Sequence, residues 1–516
     1  MKISRRSVVG ALAGATAALK LRGVQPEPPP GIEALSGPFK GTRDSLSKYE
    51  IPEWFHDAKF GIWAHWGPQS AIEYGDWYAR NMYMEGSPQY NYHVETYGHP
   101  SKFGYKDTIP HWKAERFEPQ ELIKLYKKAG AKYFVSMGVH HDNFDMWNSK
   151  YQQWNAADMG PRKDIVGLWR NAARDEGLKF GVTEHLWITY KWFSVSHGHD
   201  TTGRMAGVPY DGANPANFSL YVDSDDVWGD HDLDWSESGI PEWWKRHWYM
   251  RIKDLVDKYE PDLLYTDGAL PFEDYGLSLI AHHYNANARR NGGKTQAVYT
   301  SKRQLDASRG MCVLDVERGI VDKIWPRPWQ TDTCIGDWHY KRGVKYKTPK
   351  TVVDMLVDIV SRNGNLLLNF PLPASGALDF EELGVLAGIT KWMSVNSEAI
   401  YATRPWKIFG EGPGTEASAN KSSFNERERK DLTAADVRFT TKGDTLYAFV
   451  MGWPEYQAVI RPLATKTELR VGKIQNVELI GFNGKLEWTQ DESALKILVP
   501  QQKPSDYAVV FKITGA

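Results

Sequence analysis

The stretch Pro261-Asp262-Leu263-Leu264-Tyr265-Thr266-Asp267-Gly268 decides the fold. Its apolar run, residues 263–265, predicts a short buried strand that ends on a carboxylate and a glycine. Upstream, apolar residues recur at helical spacing and predict a helix: Trp244, Trp248, Ile252, Leu255, Val256 and Tyr259. A helix, then a strand with an acid at its C-terminal tip, is half of a (β/α)8 unit, in which strand tips carry the catalytic residues. Asp267 is therefore a candidate reactive carboxylate, with a helix cap as the equal alternative.

Three further units place polar residues directly after a strand. The predicted strand 133–137 leads to His140-His141-Asp142, the strand 180–182 leads to Glu184-His185, and the strand 366–368 leads to Asn369. Each follows a helical stripe that ends at or near a glycine, the usual residue after a helix: Gly130, Gly177 and Gly364. Residues 60–64 predict the first strand, which leads to His65-Trp66-Gly67. Because helices and strands alternate, we expect a (β/α)8-like barrel over residues 45–398 with one polar face.

The sequence changes character near residue 400. Helical stripes stop, and five short alternating runs separated by turns predict an all-β sandwich over residues 399–516: 436–440, 445–450, 477–480, 495–499 and 507–511. Residues 411–434 are predicted as a polar surface loop. Inside the barrel, the irregular stretch 194–239 is too long for a plain connection and predicts a functional loop insertion.

The first 24 residues predict an export signal. Ser4-Arg5-Arg6-Ser7 precedes an apolar run, residues 8–19, that is too short to span a bilayer. Paired arginines before a weakly apolar region are typical of twin-arginine signals, and a Pro-rich linker, residues 25–44, follows. We expect a protein exported to the periplasm or the medium, without membrane association once the signal is removed. An unprocessed disordered tail is the alternative.

Charge and composition exclude one class of partner and favour another. A net charge of −1 and a pI near 7 provide no basic surface for a nucleic acid. The 22 Trp favour a carbohydrate ligand, because flat rings cover the apolar face of a sugar, although a large core also uses such residues. The only two cysteines, Cys312 and Cys334, provide neither a disulfide framework nor a cysteine zinc site, and their pairing stays open.

The spacing of the histidines argues against a metal ion. His140 and His141 are adjacent, so on a strand their side chains would point to opposite faces. A His-Glu-x-x-His motif, which places two histidines on one helix face, does not occur in the sequence. We therefore expect no catalytic metal and no cofactor.

Residues 45–400 resemble glycoside hydrolase family 29, the α-L-fucosidases, and the β-rich tail is similar to that family's C-terminal sandwich. Six motifs in family order carry the resemblance: Trp54-Phe55-His56-Asp57-Ala58-Lys59-Phe60-Gly61-Ile62, His65-Trp66-Gly67, Asp76-Trp77-Tyr78, Ala131-Lys132-Tyr133 running into His140-His141-Asp142, Tyr265-Thr266-Asp267-Gly268, and Asn365-Leu366-Leu367-Leu368-Asn369. Each motif alone is weak, but the ordered set is specific.

The resemblance implies roles for individual residues. In the family, the Asp of the strand-end Asp-Gly is the nucleophile, which corresponds to Asp267. Histidines there bind the fucose hydroxyls and a Trp packs on the sugar, roles that correspond to His65, His140, His141 and Trp77. The further substrate-binding residues expected are Asp76, Tyr265, and Glu184 or His185. The chain departs from the pattern at two of these places. Asp76 stands where the family commonly has Glu, and Thr183-Glu184-His185 stands where many members have Tyr.

The general acid/base is the least obvious assignment. Many members of the family use the Glu of a Trp-Glu pair, but the counterpart here is Trp329-Gln330, and Gln has no titratable proton. Other members use a Glu about 50 positions after the nucleophile, a place that Glu317 takes, after a strand predicted at 311–313. A surface pair of Glu317 with Arg318 is the structural alternative. Glu273 and Asp332 are the other candidates.

Two such carboxyl groups fit a retaining glycosidase. The ionised one attacks the anomeric carbon, while the protonated one donates to the leaving oxygen and later activates water. The resemblance thus implies a retaining exo-α-L-fucosidase that acts on a fucose-containing oligosaccharide or polysaccharide. Two alternatives stay open. One is an exported fucose-binding protein that lost its acid, which Gln330 motivates, and the other is a glycosidase for a related sugar such as α-L-galactose.

Overall fold

The structure is a computed structural model that describes residues 31–222, 233–415, 424–426, 429, 431–469 and 471–516. The predicted export signal, residues 1–24, lies outside the described residues. Over the described ranges, no helix combines the length and the apolar character that crossing a membrane requires.

A closed barrel of eight parallel strands forms the first part of the chain, and each strand pairs with the next. This confirms the predicted (β/α)8 architecture. The barrel strands are β1 (Phe60–Ala64), β2 (Tyr133–Val139), β3 (Lys179–Glu184), β4 (Leu263–Thr266), β5 (Val298–Ser301), β6 (Val313–Asp315), β7 (Trp329–Cys334) and β8 (Gly364–Asn369).

The α-helices of the described residues surround and cover this barrel. They are α1 (Arg43–Leu46), α2 (Glu53–Ala58), α3 (Tyr78–Asn81), α4 (Pro88–Tyr97), α5 (Tyr105–Thr108), α6 (Pro119–Lys128), α7 (Ile165–Asp175), α8 (Thr189–Trp192), α9 (Phe218–Tyr221), α10 (Glu242–Tyr259), α11 (Asp274–Arg290), α12 (Gln304–Ser308), α13 (Pro349–Ser361) and α14 (Phe380–Asn396).

The strand that decided the prediction is β4, and all four of its residues are buried. Asp267 follows it directly, whereas the next helix, α11, begins only at Asp274. Asp267 is therefore free of the capping role that was its structural alternative. The neighbouring strands β3 and β5 run parallel to β4, so their C-terminal ends meet at the same face of the barrel.

Two of the three glycines expected after helices have left-handed backbone there, Gly130 (φ 105°) after α6 and Gly177 (φ 73°) after α7. The expectation for Gly364 is wrong, because Asn363 (φ 75°) takes the left-handed position and Gly364 begins β8. A Cβ on Gly364 would lie 2.6 Å from the indole of Trp329. The glycine there serves close packing of two strands.

Strand β6 begins two residues later than the predicted 311–313. Met311 and Cys312 are nonetheless buried, so their apolar character reflects the core rather than a strand. Cys312 and Cys334 are both buried free thiols, which answers the open question of their pairing.

The C-terminal region consists of two antiparallel sheets that share an apolar core, as predicted for a sandwich. Its strands are β9 (Arg404–Glu411), β10 (Val437–Lys442), β11 (Thr445–Val450), β12 (Gln457–Ile460), β13 (Asn476–Leu479), β14 (Trp488–Gln490), β15 (Leu495–Leu498) and β16 (Val509–Thr514). The sequence missed β9, β12 and β14. All three lie at sheet edges, where a strand has one neighbour. No residue of β9 or β14 is fully buried, so their alternation is weak, whereas β12 alternates but has only four residues.

Two expectations about connecting segments are corrected by the packing. Residues 31–44, predicted as part of a linker, lie on the barrel: Ile32 is buried, and the backbone N–H of Phe39 donates to Oδ1 of Asn285 on α11 at 2.9 Å. The predicted surface loop 411–434 is wrong in two places, since Glu411 ends β9 and residues 424–426 lie against the barrel. A buried ion pair joins the two regions, with Nε of Arg438 on β10 at 2.5 Å from Oδ1 of Asp358 on α13.

Candidate active site

A cavity of about 320 Å³ opens at the C-terminal ends of the barrel strands. Its lining residues are Trp63, His65, Asp76, Trp77, His140, His141, His185, Trp235, Tyr265, Asp267, Lys302, Glu317, Arg318, Asp332, Trp338 and Phe424. The structure thus brings together all of the predicted site residues except Glu184. They converge because parallel strands of a closed barrel end at one face.

Two carboxylates of this cavity share one cation. Nζ of Lys302, directly after β5, lies 2.5 Å from Oδ1 of Asp267 and also contacts Oε2 of Glu317. The three side chains are each less than a fifth exposed, so solvent screens their interaction only in part. Glu317 is therefore a pocket residue, and the surface pair with Arg318 that was its alternative is wrong.

The environment moves the pKa values of the two carboxyl groups apart. Burial would raise the pKa of Asp267, but the charge of Lys302 and the contact with His185 hold that pKa well below its ordinary value. Burial, followed by the negative charges of Asp332 and Asp267, raises the pKa of Glu317 to about 7 despite Lys302. One carboxyl group is thus ionised at neutral pH while the other holds a proton in a large share of molecules.

Histidines surround the second oxygen of Asp267. Nε2 of His141 lies 3.4 Å and Nδ1 of His185 lies 3.2 Å from Oδ2 of Asp267. Both ring nitrogens of His65 are buried and have no hydrogen-bond partner among the described residues. Burial, with His339 and His185 nearby, holds the pKa of His65 well below its ordinary value, so its ring is neutral. A buried neutral imidazole without a partner is suited to bind a ligand hydroxyl.

His140 and His141 both line the cavity, so the expectation that they point to opposite faces is wrong. They follow the last residue of β2, Val139, and strand alternation no longer applies to them. Their rings lie 4.6 Å apart between centroids, and Nδ1 of His140 lies 2.8 Å from Nε2 of Gln69. Ligand atoms of His140, His141 and His185 lie within 4.8 Å of one another, so the prediction of no metal now depends on motif spacing alone.

Asp76 and Trp77 belong to the segment that closes the cavity above β1. Oδ1 of Asp76 lies 2.6 Å from Nδ1 of His339 and 4.0 Å from Nε2 of His140, which holds the carboxylate at the pocket wall. Trp77 has left-handed backbone (φ 57°), and its ring centroid lies 5.8 Å from that of Trp235. Trp235 comes from the predicted loop insertion, 194–239, whose residues 223–232 lie outside the described part.

Glu184 does not line the cavity, which corrects its predicted role. It is fully buried behind β3, where its Oε2 accepts from Nε1 of Trp248 at 2.9 Å and from the N–H of Leu186 at 3.0 Å. Glu184, the last residue of β3, faces α10, whereas His185 follows the strand and faces the cavity. Burial raises the pKa of Glu184 to about 7.

The other acid/base candidates are placed differently from Glu317. Glu273 lies outside the cavity on the surface, where its Oε2 is 2.6 Å from Nη2 of Arg43. Gln330 lies within β7, accepts from the hydroxyl of Tyr133 at 2.9 Å and donates to Asp315 at 2.8 Å, so this position does not reach the cavity. Asp332 does line it, and its Oδ2 accepts from the hydroxyl of Tyr265 at 3.1 Å.

Several lining residues were not predicted from the sequence: Trp63, Trp235, Lys302, Arg318, Trp338 and Phe424. Lys302 had a usable signal, since it follows a strand as the predicted site residues do, but β5 is only four residues long. Trp235 and Phe424 come from irregular segments, and no periodicity marks them.

Comparison with known proteins agrees with this architecture. A family model described as Alpha-L-fucosidase matches residues 31–398, and one described as Alpha-L-fucosidase C-terminal domain matches residues 429–514. Tissue alpha-L-fucosidase of Bos taurus is 28% identical over 496 residues, which is 91% of this chain and 90% of that protein. Plasma alpha-L-fucosidase of Homo sapiens is 28% identical over 488 residues, 90% and 89% of the two chains.

Solved structures share the fold. An alpha-fucosidase of Thermotoga maritima superposes with a TM-score of 0.69 at 24% identity, over 92% of this chain and all of that one. A GH29 alpha-L-fucosidase of Bacteroides thetaiotaomicron gives a TM-score of 0.62 at 19% identity, over 95% and 99% of the two chains. With the family model matching well over half of the 516 residues, the chain belongs to the alpha-L-fucosidase family of glycoside hydrolases.

Proposed function

We propose that the protein is a retaining exo-α-L-fucosidase that releases terminal α-L-fucosyl residues through a covalent glycosyl-enzyme intermediate. The observation that carries the proposal is the contact of one nitrogen, Nζ of Lys302, with both Asp267 and Glu317. Two hydrogen-bond lengths from one atom keep the two carboxylate oxygens within about 6 Å. Retaining enzymes have a separation of about 5–5.5 Å and inverting enzymes about 6.5–9.5 Å, so the geometry favours retention.

Asp267 is the nucleophile of the first step. Its depressed pKa keeps it ionised, and it attacks the anomeric carbon as the bond to the leaving oxygen breaks. Glu317, protonated below its pKa of about 7, transfers its proton to that oxygen. The products are a fucosyl ester of Asp267 and the free leaving alcohol.

In the second step Glu317 acts as the base. It is ionised after the first step, and Lys302 stabilises that charge. It takes a proton from a water molecule, the water oxygen attacks the anomeric carbon, and the ester bond to Asp267 breaks. Two inversions at one carbon give retention, and both side chains return to their starting protonation states.

The remaining polar side chains bind the sugar. The unpartnered ring nitrogens of His65, together with His140 and His141, are positioned for fucose hydroxyls, and Asp76 accepts a further one. Aromatic rings on the wall, Trp77 among them, cover the apolar face that carries the C6 methyl. A pocket of about 320 Å³ with these groups fits one terminal residue of a fucose-containing oligosaccharide or polysaccharide.

A panel of aryl glycosides tests this function and its alternatives. We expect the purified chain to hydrolyse the α-L-fucoside, to cleave the α-L-galactoside at least tenfold less well, and to leave the β-L-fucoside intact. Proton NMR of the first product should show α-L-fucose. The β anomer would contradict retention, and binding of fucose without any turnover would favour the non-catalytic alternative.

We further propose that the protein is exported, on the basis of Arg5 and Arg6 before the short apolar run. The receptor of the twin-arginine pathway recognises the arginine pair, so replacing both with Lys should retain precursor in the cytoplasm. Fractionation of cells that carry the full chain tests this, with an Arg→Lys change at Arg43 as the control. Unchanged export would contradict the assignment.

A further inference from the structure

A short segment of the C-terminal region, residues 424–426, lies on the loop that carries Glu317. The backbone N–H of Phe424 donates to the carbonyl of Glu317 at 2.8 Å, and that of Glu426 donates to the carbonyl of Arg318 at 2.9 Å. The segment and the loop are therefore joined by two main-chain hydrogen bonds. The predicted polar loop thus contributes directly to the wall of the catalytic cavity.

Side chains on the same segment fix this contact. Asn425 is only 4% exposed, and its amide both accepts from the N–H of Ile320 at 3.0 Å and donates to the carbonyl of Ile320 at 3.1 Å. The carboxylate of Glu426 pairs with Nζ of Lys347 at 2.6 Å and accepts from the hydroxyl of Thr333. A buried amide and a paired carboxylate thus anchor both residues that follow Phe424.

The anchored segment presents an aromatic ring at the mouth of the cavity. Phe424 lines the cavity, yet its side chain is 63% exposed. Its backbone is left-handed (φ 56°), as is that of Arg318 (φ 44°) across the contact. A bulky residue rarely adopts that conformation, and such residues persist where the surroundings impose them, often at ligand sites. A ring that lines the cavity and is exposed to this extent has free area on which a ligand can pack.

We propose that Phe424 forms the platform of the leaving-group subsite, on which the apolar face of the sugar next to the terminal fucose packs. The inference rests on the proposed function and adds to it the residue that binds the leaving sugar, Phe424 of the C-terminal region. The position of the leaving sugar follows from the proton transfer. Glu317 donates to the leaving oxygen, so the leaving group departs on the side of Glu317, where Phe424 is bonded to the main chain of the same residue.

The test compares substrates with and without a leaving sugar. Phe424→Ala should lower kcat/KM roughly tenfold on the best-cleaved member of a series of α-L-fucosyl disaccharides, the size expected for one aromatic contact. On α-L-fucosyl fluoride, which has no leaving sugar, kcat/KM should stay within about twofold of wild type. Phe424→Trp, which keeps a flat ring, should retain the activity on the disaccharide.

Tyr456→Ala is the matched control, because Tyr456 is another exposed aromatic residue of the C-terminal region, 73% exposed, that does not line the cavity. It should behave like wild type on both substrates. An equal loss on disaccharide and fluoride in Phe424→Ala would mean a purely structural role, and no loss on either would mean no contact. Both results would overturn the inference. Failure of the wild-type protein on both substrates would instead overturn the proposed function.

Discussion

Nζ of Lys302 lies 2.5 Å from Oδ1 of Asp267, and the same nitrogen contacts Glu317. One ammonium group therefore acts on both proposed reacting carboxyl groups. Lys302 lowers the pKa of both carboxyl groups, whereas burial raises both pKa values because it disfavours the charged form. The balance leaves Asp267 ionised and places the pKa of Glu317 at about 7, which is the division of roles that a retaining glycosidase needs.

Lys302→Met removes the shared cation and should move both limbs of the pH profile of kcat/KM to higher pH. A positive charge favours the ionised form of a carboxyl group, so its loss raises the pKa of Asp267, which sets the acid limb, and of Glu317, which sets the basic limb. Lys302→Arg keeps the charge and should leave both limbs close to wild type. A profile of Lys302→Met that matches wild type would show that the ammonium group does not tune the pair.

Asp332→Asn should shift only the basic limb, and to lower pH. Among the charges, that of Asp332 is the largest that raises the pKa of Glu317, so a neutral amide there lets Glu317 lose its proton more easily. Asp315→Asn is the control, since Asp315 does not line the cavity and is not among the main causes of the pKa shift of Glu317. A basic limb that stays fixed in Asp332→Asn would contradict the electrostatic account of Glu317.

Glu317→Ala should lose about 10²–10⁴-fold in kcat/KM on fucosides with sugar leaving groups, the range typical of proton transfer. The loss in the first step should be much smaller on a dinitrophenyl fucoside, whose leaving group departs without a proton. The basic limb should also disappear from the profile with that substrate. If Glu317→Ala keeps wild-type activity while Asp332→Ala shows this pattern, the acid/base is Asp332 and the fucosidase function stands.

Asp358→Asn should destabilise the fold and weaken the joint between barrel and sandwich. Asp358 is buried and pairs with Arg438 at 2.5 Å, Arg362 at 3.3 Å and Arg429 at 3.6 Å. Loss of its charge leaves buried guanidinium groups uncompensated, which costs roughly 3–5 kcal/mol in the free energy of unfolding at neutral pH. Asp506→Asn, in an exposed pair with Lys391 that solvent screens, should leave the free energy of unfolding close to that of wild type.

The stabilising effect of Asp358 should decrease as the pH falls. Burial would raise the pKa of Asp358, but the three arginines hold it well below its ordinary value. Its stabilising effect is therefore complete above the unfolded-state pKa of about 4 and is lost as the pH falls through the lower folded-state value. Denaturant unfolding should show a smaller loss of stability on acidification in Asp358→Asn than in wild type. Parallel losses would contradict the assignment.

Much of the barrel was predictable because strands such as β1, β2, β4 and β8 are largely apolar runs that follow amphipathic stripes or begin the unit. Strands β5 and β7 were missed, because β5 is short and both contain several polar residues. Strand tips then marked Asp267, His140, His141, and Glu184 with His185 as candidates, whereas the roles of these residues came from the family resemblance. Edge strands such as β9 were missed, because an edge strand buries few residues and its alternation is weak.

Other parts of the site depend on information that is not local in sequence. Whether Glu184 or His185 faces the cavity depends on where β3 ends, at Glu184, and a three-residue apolar run does not define that end. Phe424 reaches the cavity only because the C-terminal region folds back onto the loop after β6. Contacts between segments so far apart in the chain are set by tertiary packing.

The most direct test of the central claim is azide rescue of Asp267→Gly. The variant should lose nearly all hydrolysis of an aryl α-L-fucoside, and azide, which enters the space that the carboxylate vacates, should restore turnover with an activated leaving group. Attack from that face inverts the anomeric carbon, so NMR should identify the product as β-L-fucosyl azide. Hydrolysis at the wild-type rate without azide, or α-L-fucosyl azide as the product, would contradict Asp267 as the nucleophile.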